Sequence, residues 1–171
     1  QAVPVGTVQE VMGFKTQDTI VLIMVVNITA AIGAFFFGYL QDKFGSVRCI
    51  MITLLIWSAA IVCAYYATDS MLFWIAANLI GIALGGAQSA GRALVGKLTP
   101  LGRQGEFFGL WGLATKLSAI IGPITYGGMV YWFEGDHRIA LLSTLGFFIS
   151  GFVLMATVNE ERGRKKAEIF S

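Results

Sequence analysis

The chain has 171 residues, 56% of them hydrophobic and only 13% charged, with a mean hydropathy of +0.73. A soluble domain carries about 25% charge, so this composition excludes a water-soluble globule. Disorder, collagen-like repeats, a disulfide scaffold and a basic nucleic-acid binder are excluded as well. The chain reads as an all-α, polytopic transmembrane helix bundle, with the lipid bilayer as its first partner.

Residues 1–17 (QAVPVGTVQEVMGFKTQ) hold an apolar stretch too short to span, with Glu10 inside it. That stretch is either a membrane-surface or loop segment or the end of a preceding transmembrane helix. The chain opens on Gln1 in mid-pattern, as a piece of something longer would, and no removable signal peptide is expected. Crossing ~30 Å of hydrocarbon takes about 20 residues, and five runs qualify. They extend from Thr19 to Leu40, Val47 to Ala67, Met71 to Val95, Glu106 to Phe133 and Ile139 to Val158. The expected organisation is a leading segment over 1–17, a five-helix bundle over 18–158 and a cytoplasmic tail over 159–171. Short connections make neighbouring spans antiparallel.

Lysine and arginine set the expected orientation. Lys43 and Arg48 follow the first span, Lys97 and Arg103 the third, and Arg162, Arg164, Lys165 and Lys166 the fifth. The other side has only Lys15 and Arg138, beside Asp69, Glu134 and Asp136. A cell-membrane protein with a cytoplasmic C-terminus is expected.

Glycine is abundant: 21 residues, about 12% of the chain against roughly 7% on average. Gly81 and Gly85 have the small-xxx-small spacing that brings helix backbones together in lipid. Gly86 extends that cluster; Gly105, Gly109 and Gly112 form another, and Gly122, Gly127 and Gly128 a third. Gly122-Pro123 marks a candidate kink in the fourth span, because proline removes a helical hydrogen bond. Static packing and helices that rock against each other both account for these glycines.

No enzyme constellation is present. His137 lies beside Asp136 and Arg138 as a solvated loop residue, and too few ligands exist for a metal site. Cys49 and Cys63 are fourteen residues apart, about 21 Å along a helix, beyond disulfide reach. No P-loop, nucleophile elbow or Cys-x-x-Cys motif appears, and no cofactor is implied.

Ionisable groups within spans point to function because burying them is costly. Lys116 lies about ten residues, ~15 Å, into the fourth span, near the midplane. Arg92 is close enough to its span's end to snorkel, to hold an interface or to serve a gate. Gln88, Ser89, Asn27 and Asn78 either line a cavity or hydrogen-bond neighbouring helices. No Asp or Glu lies at mid-membrane depth in the five spans, so a coupling carboxylate would be Glu10, an interface residue or a group elsewhere.

The loop Gly38-Tyr39-Leu40-Gln41-Asp42-Lys43-Phe44-Gly45-Ser46-Val47-Arg48 combines a close-contact glycine, a helix-facing acid, a turn glycine and two cations. A later segment, Pro100 to Gly109, begins another helix and contains Arg103 and Glu106. Asp42 could latch that end through Arg103 or the helix start near Glu106.

Gly38 to Arg48 resembles the signature loop of the major facilitator superfamily, with Ser46 where a basic residue is usual. Gly81, Gly85-Gly86-Ala87-Gln88-Ser89, Arg92, Pro100, Gly102-Arg103, Glu106 to Gly109, Lys116, Gly122-Pro123 and Val158 to Gly163 are similar to the vacuole-effluxer-like branch. The resemblance implies a C-terminal half: the end of one helix and five complete spans. It also implies a secondary transporter of a small polar solute, amino acids among the options, working by alternating access. The missing N-terminal half, or a second copy, would complete the cavity. Lys116, Gln88 and Asn27 would face that cavity. Gly38, Asp42, Lys43, Gly45, Arg48, Arg92, Arg103 and Glu106 would form the cytoplasmic gate, with Gly122 and Pro123 as the kink. The competing expectation is a non-transporting membrane module that acts through oligomerisation or as a partner's subunit.

Overall fold

A computed structural model describes residues 16–67, 70–134 and 137–169. Residues 1–15, with Glu10 and Lys15, lie outside the described residues. So do Asp69, Asp136 and the side chains of His137 and Arg138. Every regular element described is helical: α1 Thr16–Phe44, α2 Ser46–Tyr65, α3 Ser70–Leu98, α4 Gln104–Trp132, α5 His137–Ala156 and α6 Glu160–Ile169. The first five are long and apolar enough to cross a membrane. Each matches an expected span to within a few residues, and the chain is a multi-pass membrane protein. The addition is α6, a short charged helix within the expected tail.

α3 is the centre of the bundle. It packs along α1 on one side and α2 on another, while α5 covers α2 and α4 leans mainly on α5. Contacts between α1 and α3 ascend together in both helices, so the two run parallel. A side chain at Gly81 would strike Thr29 and the Val26 carbonyl, and one at Gly85 would strike Ala30. From the other side, a side chain at Gly33 would strike the backbone of Ile82. These glycines let two backbones approach where larger residues would hold them apart.

Below this seam, toward the lysine- and arginine-rich end, Gly86 sits between Phe37 of α1 and Thr53 of α2. Phe37, Cys49 and Ala90 form the buried core there, flanked by Leu40, Ile50, Ile56 and Ile82. Between α2 and α5, the rings of Trp57 and Phe148 stack at 5.1 Å. Outward-facing Ile20, Met24, Ile28 and Phe35 on α1 are exposed, as residues against lipid should be. Tyr65, Tyr66, Trp74, Tyr131 and Trp132 gather at the end opposite the cations, where amphipathic rings suit the headgroup level.

α4 is different. None of its described residues is buried, and the positions of Gly105, Gly109, Gly112, Gly122, Gly127 and Gly128 have no described neighbour within van der Waals reach of an added Cβ. The helix runs through Pro123 as a single element, although the missing proline N–H leaves the Ala119 carbonyl without its usual donor. The three glycine clusters therefore divide. Only the α3 cluster is spent on packing within this bundle.

Gly85→Leu is expected to cost about 3 kcal/mol or more, because the obstruction is backbone rather than a movable side chain. Gly112→Ala, which meets nothing, is expected to be neutral or stabilising by up to about 1 kcal/mol. Thermal melting of the detergent-purified chain checks both.

Candidate functional site

Where the α1–α3 seam opens, it forms a groove of about 640 Å³. That volume is in the range of small-molecule sites. Small residues (Ala30, Ala34 and Gly85) make its floor, and Asn27, Gln41, Gln88, Ser89 and Arg92 bring polar groups to it. The helix period explains their convergence: Gly85, Gln88, Ser89 and Arg92 recur at spacings of three and four and share one face of α3. Asn27, Ala30, Ala34 and Gln41 do the same on α1.

Each polar group has a definable state. Asn27 donates to the Ile23 carbonyl of its own helix at 2.8 Å, leaving its amide oxygen toward other donors. Arg92 donates weakly to the Gln88 amide oxygen at 3.4 Å and lies over the Trp111 ring of α4 at 5.7 Å. That cation–π contact ties α4 to α3. Among the described residues Arg92 enters no ion pair, and it is the only formal charge lining the groove. The Gln41 side-chain oxygen is buried with no donor among the described residues. The groove thus offers a cation, two amides and an open acceptor.

Asn27 and Gln88 are therefore brought together, and Arg92 joins them in the groove. Lys116 does not line it. Lys116 lies exposed on α4, on a helix that touches α3 only lightly. Gly38 approaches Ser89, 3.4 Å from where its Cβ would be, so the close-contact glycine of the loop abuts the groove wall.

At the charged end, Asp42, Lys43 and Arg48 are exposed. Asp42 enters no ion pair among the described residues, so the expected Asp42–Arg103 latch is not formed. Arg103 instead grips Glu106 at 2.7 Å on its own helix start. A partner three residues away requires far less ordering than one on another helix. The contact that does join elements is made by Glu160 of α6. Its carboxylate accepts from the Val47 N–H at 2.9 Å and from Lys97 Nζ at 3.1 Å. Gly45 precedes α2 with φ of +88° and has no side chain to cap the helix. Glu160 supplies that cap from a distance of 113 residues and adds a negative charge at the helix's positive end.

Burial alone would raise the Glu160 pKa, but the Val47 N–H and the Lys97 ammonium outweigh it and hold the carboxyl below its ordinary value. The folded pKa is thus lower than the unfolded one. The stabilisation is complete above the ordinary carboxylate range and disappears as pH falls through the folded pKa. Glu160→Gln is expected to cost about 1–2 kcal/mol at neutral pH. Wild type and variant should then converge in acid, as read by thermal melting across a pH series.

Comparison with known proteins accords with this architecture. Residues 2–168 match the family model described as vacuole effluxer Atg22 like. The chain is 27% identical over 150 residues, 88% of its length, to an uncharacterized MFS-type transporter, YxiO, of Bacillus subtilis. It is 25% identical over 167 residues to autophagy-related protein 22 of Eremothecium gossypii, covering 90% of this chain. The matches cover 35% and 32% of those proteins, so the chain spans about a third of the length of these relatives. No solved structure gives a significant match. A bundle of five apolar helices, matched over nearly its whole length, belongs to the Atg22-like vacuole effluxer family, a transporter branch of the major facilitator superfamily rather than an enzyme class.

Proposed function

We propose that this chain is the C-terminal half of a secondary transporter that moves a small polar solute, with amino acids among the candidate classes, by alternating access. The observation that carries the proposal is the groove itself. Five polar side chains converge on one seam of helices whose other faces are apolar. In lipid, polar groups placed this way serve either helix association or a solute path. The α1–α3 association is already achieved by glycines, and the Gln41 side-chain oxygen has no donor among the described residues.

In this reading Asn27, Gln88 and Lys116 face the solute. Lys116 reaches it only when the uncovered face of α4 is closed against a preceding half or a second copy. The charged end of the bundle, with Asp42, Lys43, Arg48, Arg92, Arg103 and Glu106, is the gate. Gly38 and Gly45 allow its close contacts, and Gly122-Pro123 allows α4 to adjust.

The test is uptake of labelled amino acids by proteoliposomes holding the full-length protein. Lys116→Ala and Arg92→Ala are each expected to reduce transport at least about ten-fold, the loss of one charge-assisted contact, with insertion and melting retained. Arg92→Lys should recover part of the activity. Wild-type activity in both alanine variants, or loss of insertion together with activity, would overturn these assignments.

A further inference from the structure

Charge and apolar surface are sorted along the α1–α3 groove. Contacts between the two helices pair Gly81 with Thr29, Gly85 with Ala30 and Ala34, and Ser89 with Gly38. The same register sets Arg92 level with Gln41, at the groove's limit toward the charged end of the bundle. Ala30, Ala34 and Leu84 line the stretch toward the middle of α3, and Asn27 stands at the far limit. Eight residues of α3, about 12 Å, separate Leu84 from Arg92. The groove is shaped for a molecule with a charged head and a short, largely apolar body.

The charge of the lining favours an anionic head. Among the described residues Arg92 is the only formal charge there. Its two contacts position the guanidinium without neutralising it: Gln88 accepts one N–H at 3.4 Å, and Trp111 offers its ring face at 5.7 Å. Asp42 follows Gln41 in α1 but does not line the groove. Lys97, further toward the end of α3, is already paired with Glu160, and Arg103 with Glu106. A cationic head would enter beside an uncompensated cation, where little water screens the repulsion. A carboxylate would instead receive two parallel N–H···O bonds, for which the planar guanidinium fork is suited. One cation also balances one negative charge, whereas a phosphate dianion would retain a surplus.

We propose that Arg92 is the carboxylate-binding residue of this groove and that its solutes are small aliphatic carboxylates. The acid lies at the charged end, and the apolar body extends along Ala30, Ala34 and Leu84. This assignment rests on the reading of the groove as the solute path, and it narrows the cargo of that path to one charge class.

Acids and amides of matched shape test it on the full-length protein in detergent, with affinity read from the concentration dependence of the melting midpoint. Isovalerate is expected to bind at least about ten-fold more tightly than isovaleramide, and valine than valinamide, the worth of one charge-assisted contact. In Arg92→Gln both ratios should fall to about one while the midpoint without ligand is retained. Should that variant melt early, Arg92→Lys, which keeps the charge and loses the fork, should lower both ratios without abolishing them. Inorganic phosphate should not stabilise the protein at concentrations where isovalerate does. Equal affinity for acid and amide, ratios left unchanged by the substitution, or no binding of either acid would each overturn the proposal. Stabilisation by phosphate would overturn it too, and would indicate a site for a free anion. Uptake by proteoliposomes separates this assignment from the transport reading. Acids bound through Arg92 but never carried across would sink the transporter and leave the carboxylate site standing. Flux that ignores the difference between acid and amide would sink the carboxylate site alone.

Discussion

Backbone-to-backbone contact between α1 and α3 is the constraint on which the rest of the bundle depends. Inside a bilayer, apolar side chains gain little by exchanging lipid for each other, so helices are held by close packing. Gly33, Gly81 and Gly85 remove the side chains that would separate these two helices. Once the backbones touch, the residues flanking the contact are aimed along its edge, and a polar groove follows. Asn27, Gln41, Gln88 and Arg92 meet because glycine holds their helices together. Packing and candidate site are one feature, seen from its two sides.

The charged end obeys a different rule. There, water and headgroups are within reach, and electrostatics adds to packing. Gly45 makes the tight turn between α1 and α2 at a backbone angle favourable only to glycine, and so leaves α2 without a local cap. Glu160 fills that vacancy and takes Lys97 as well, tying the ends of α2, α3 and α6 into one junction. Each part accounts for another: the turn needs glycine, glycine cannot cap, and a distant carboxylate does. By contrast, Arg103 and Glu106 satisfy each other locally and tie nothing across the bundle.

Much of this was legible from residue order. Span number and limits follow from apolar run length, because a bilayer sets a minimum of about 20 residues whatever the packing. Gly81 and Gly85 stood out by spacing, and Asn27, Gln88 and Arg92 by their cost in lipid. Three things were not legible. Gln41 lay inside a loop motif and drew no notice, yet it lines the groove with an unpaired oxygen. Glu160 belongs to the Val158 to Gly163 stretch of the resemblance, but nothing in residue order ties it to Val47 or Lys97. The Asp42–Arg103 pair was plausible by loop proximity, but opposite charges in sequence do not reveal which partner is closer in space.

The sequence by itself determined an all-helical multi-pass chain, its five spans and its concentration of cations at one end. These are properties of the chain against its solvent, and hydrophobicity and length decide them residue by residue. Tertiary structure alone decided which glycine cluster is used, which polar residues share a groove and which acid closes the charged end. Those outcomes depend on the neighbour across an interface, and no local property of Gly85 distinguishes it from Gly109. One meets the backbone of α1 and the other lies on an uncovered face of α4.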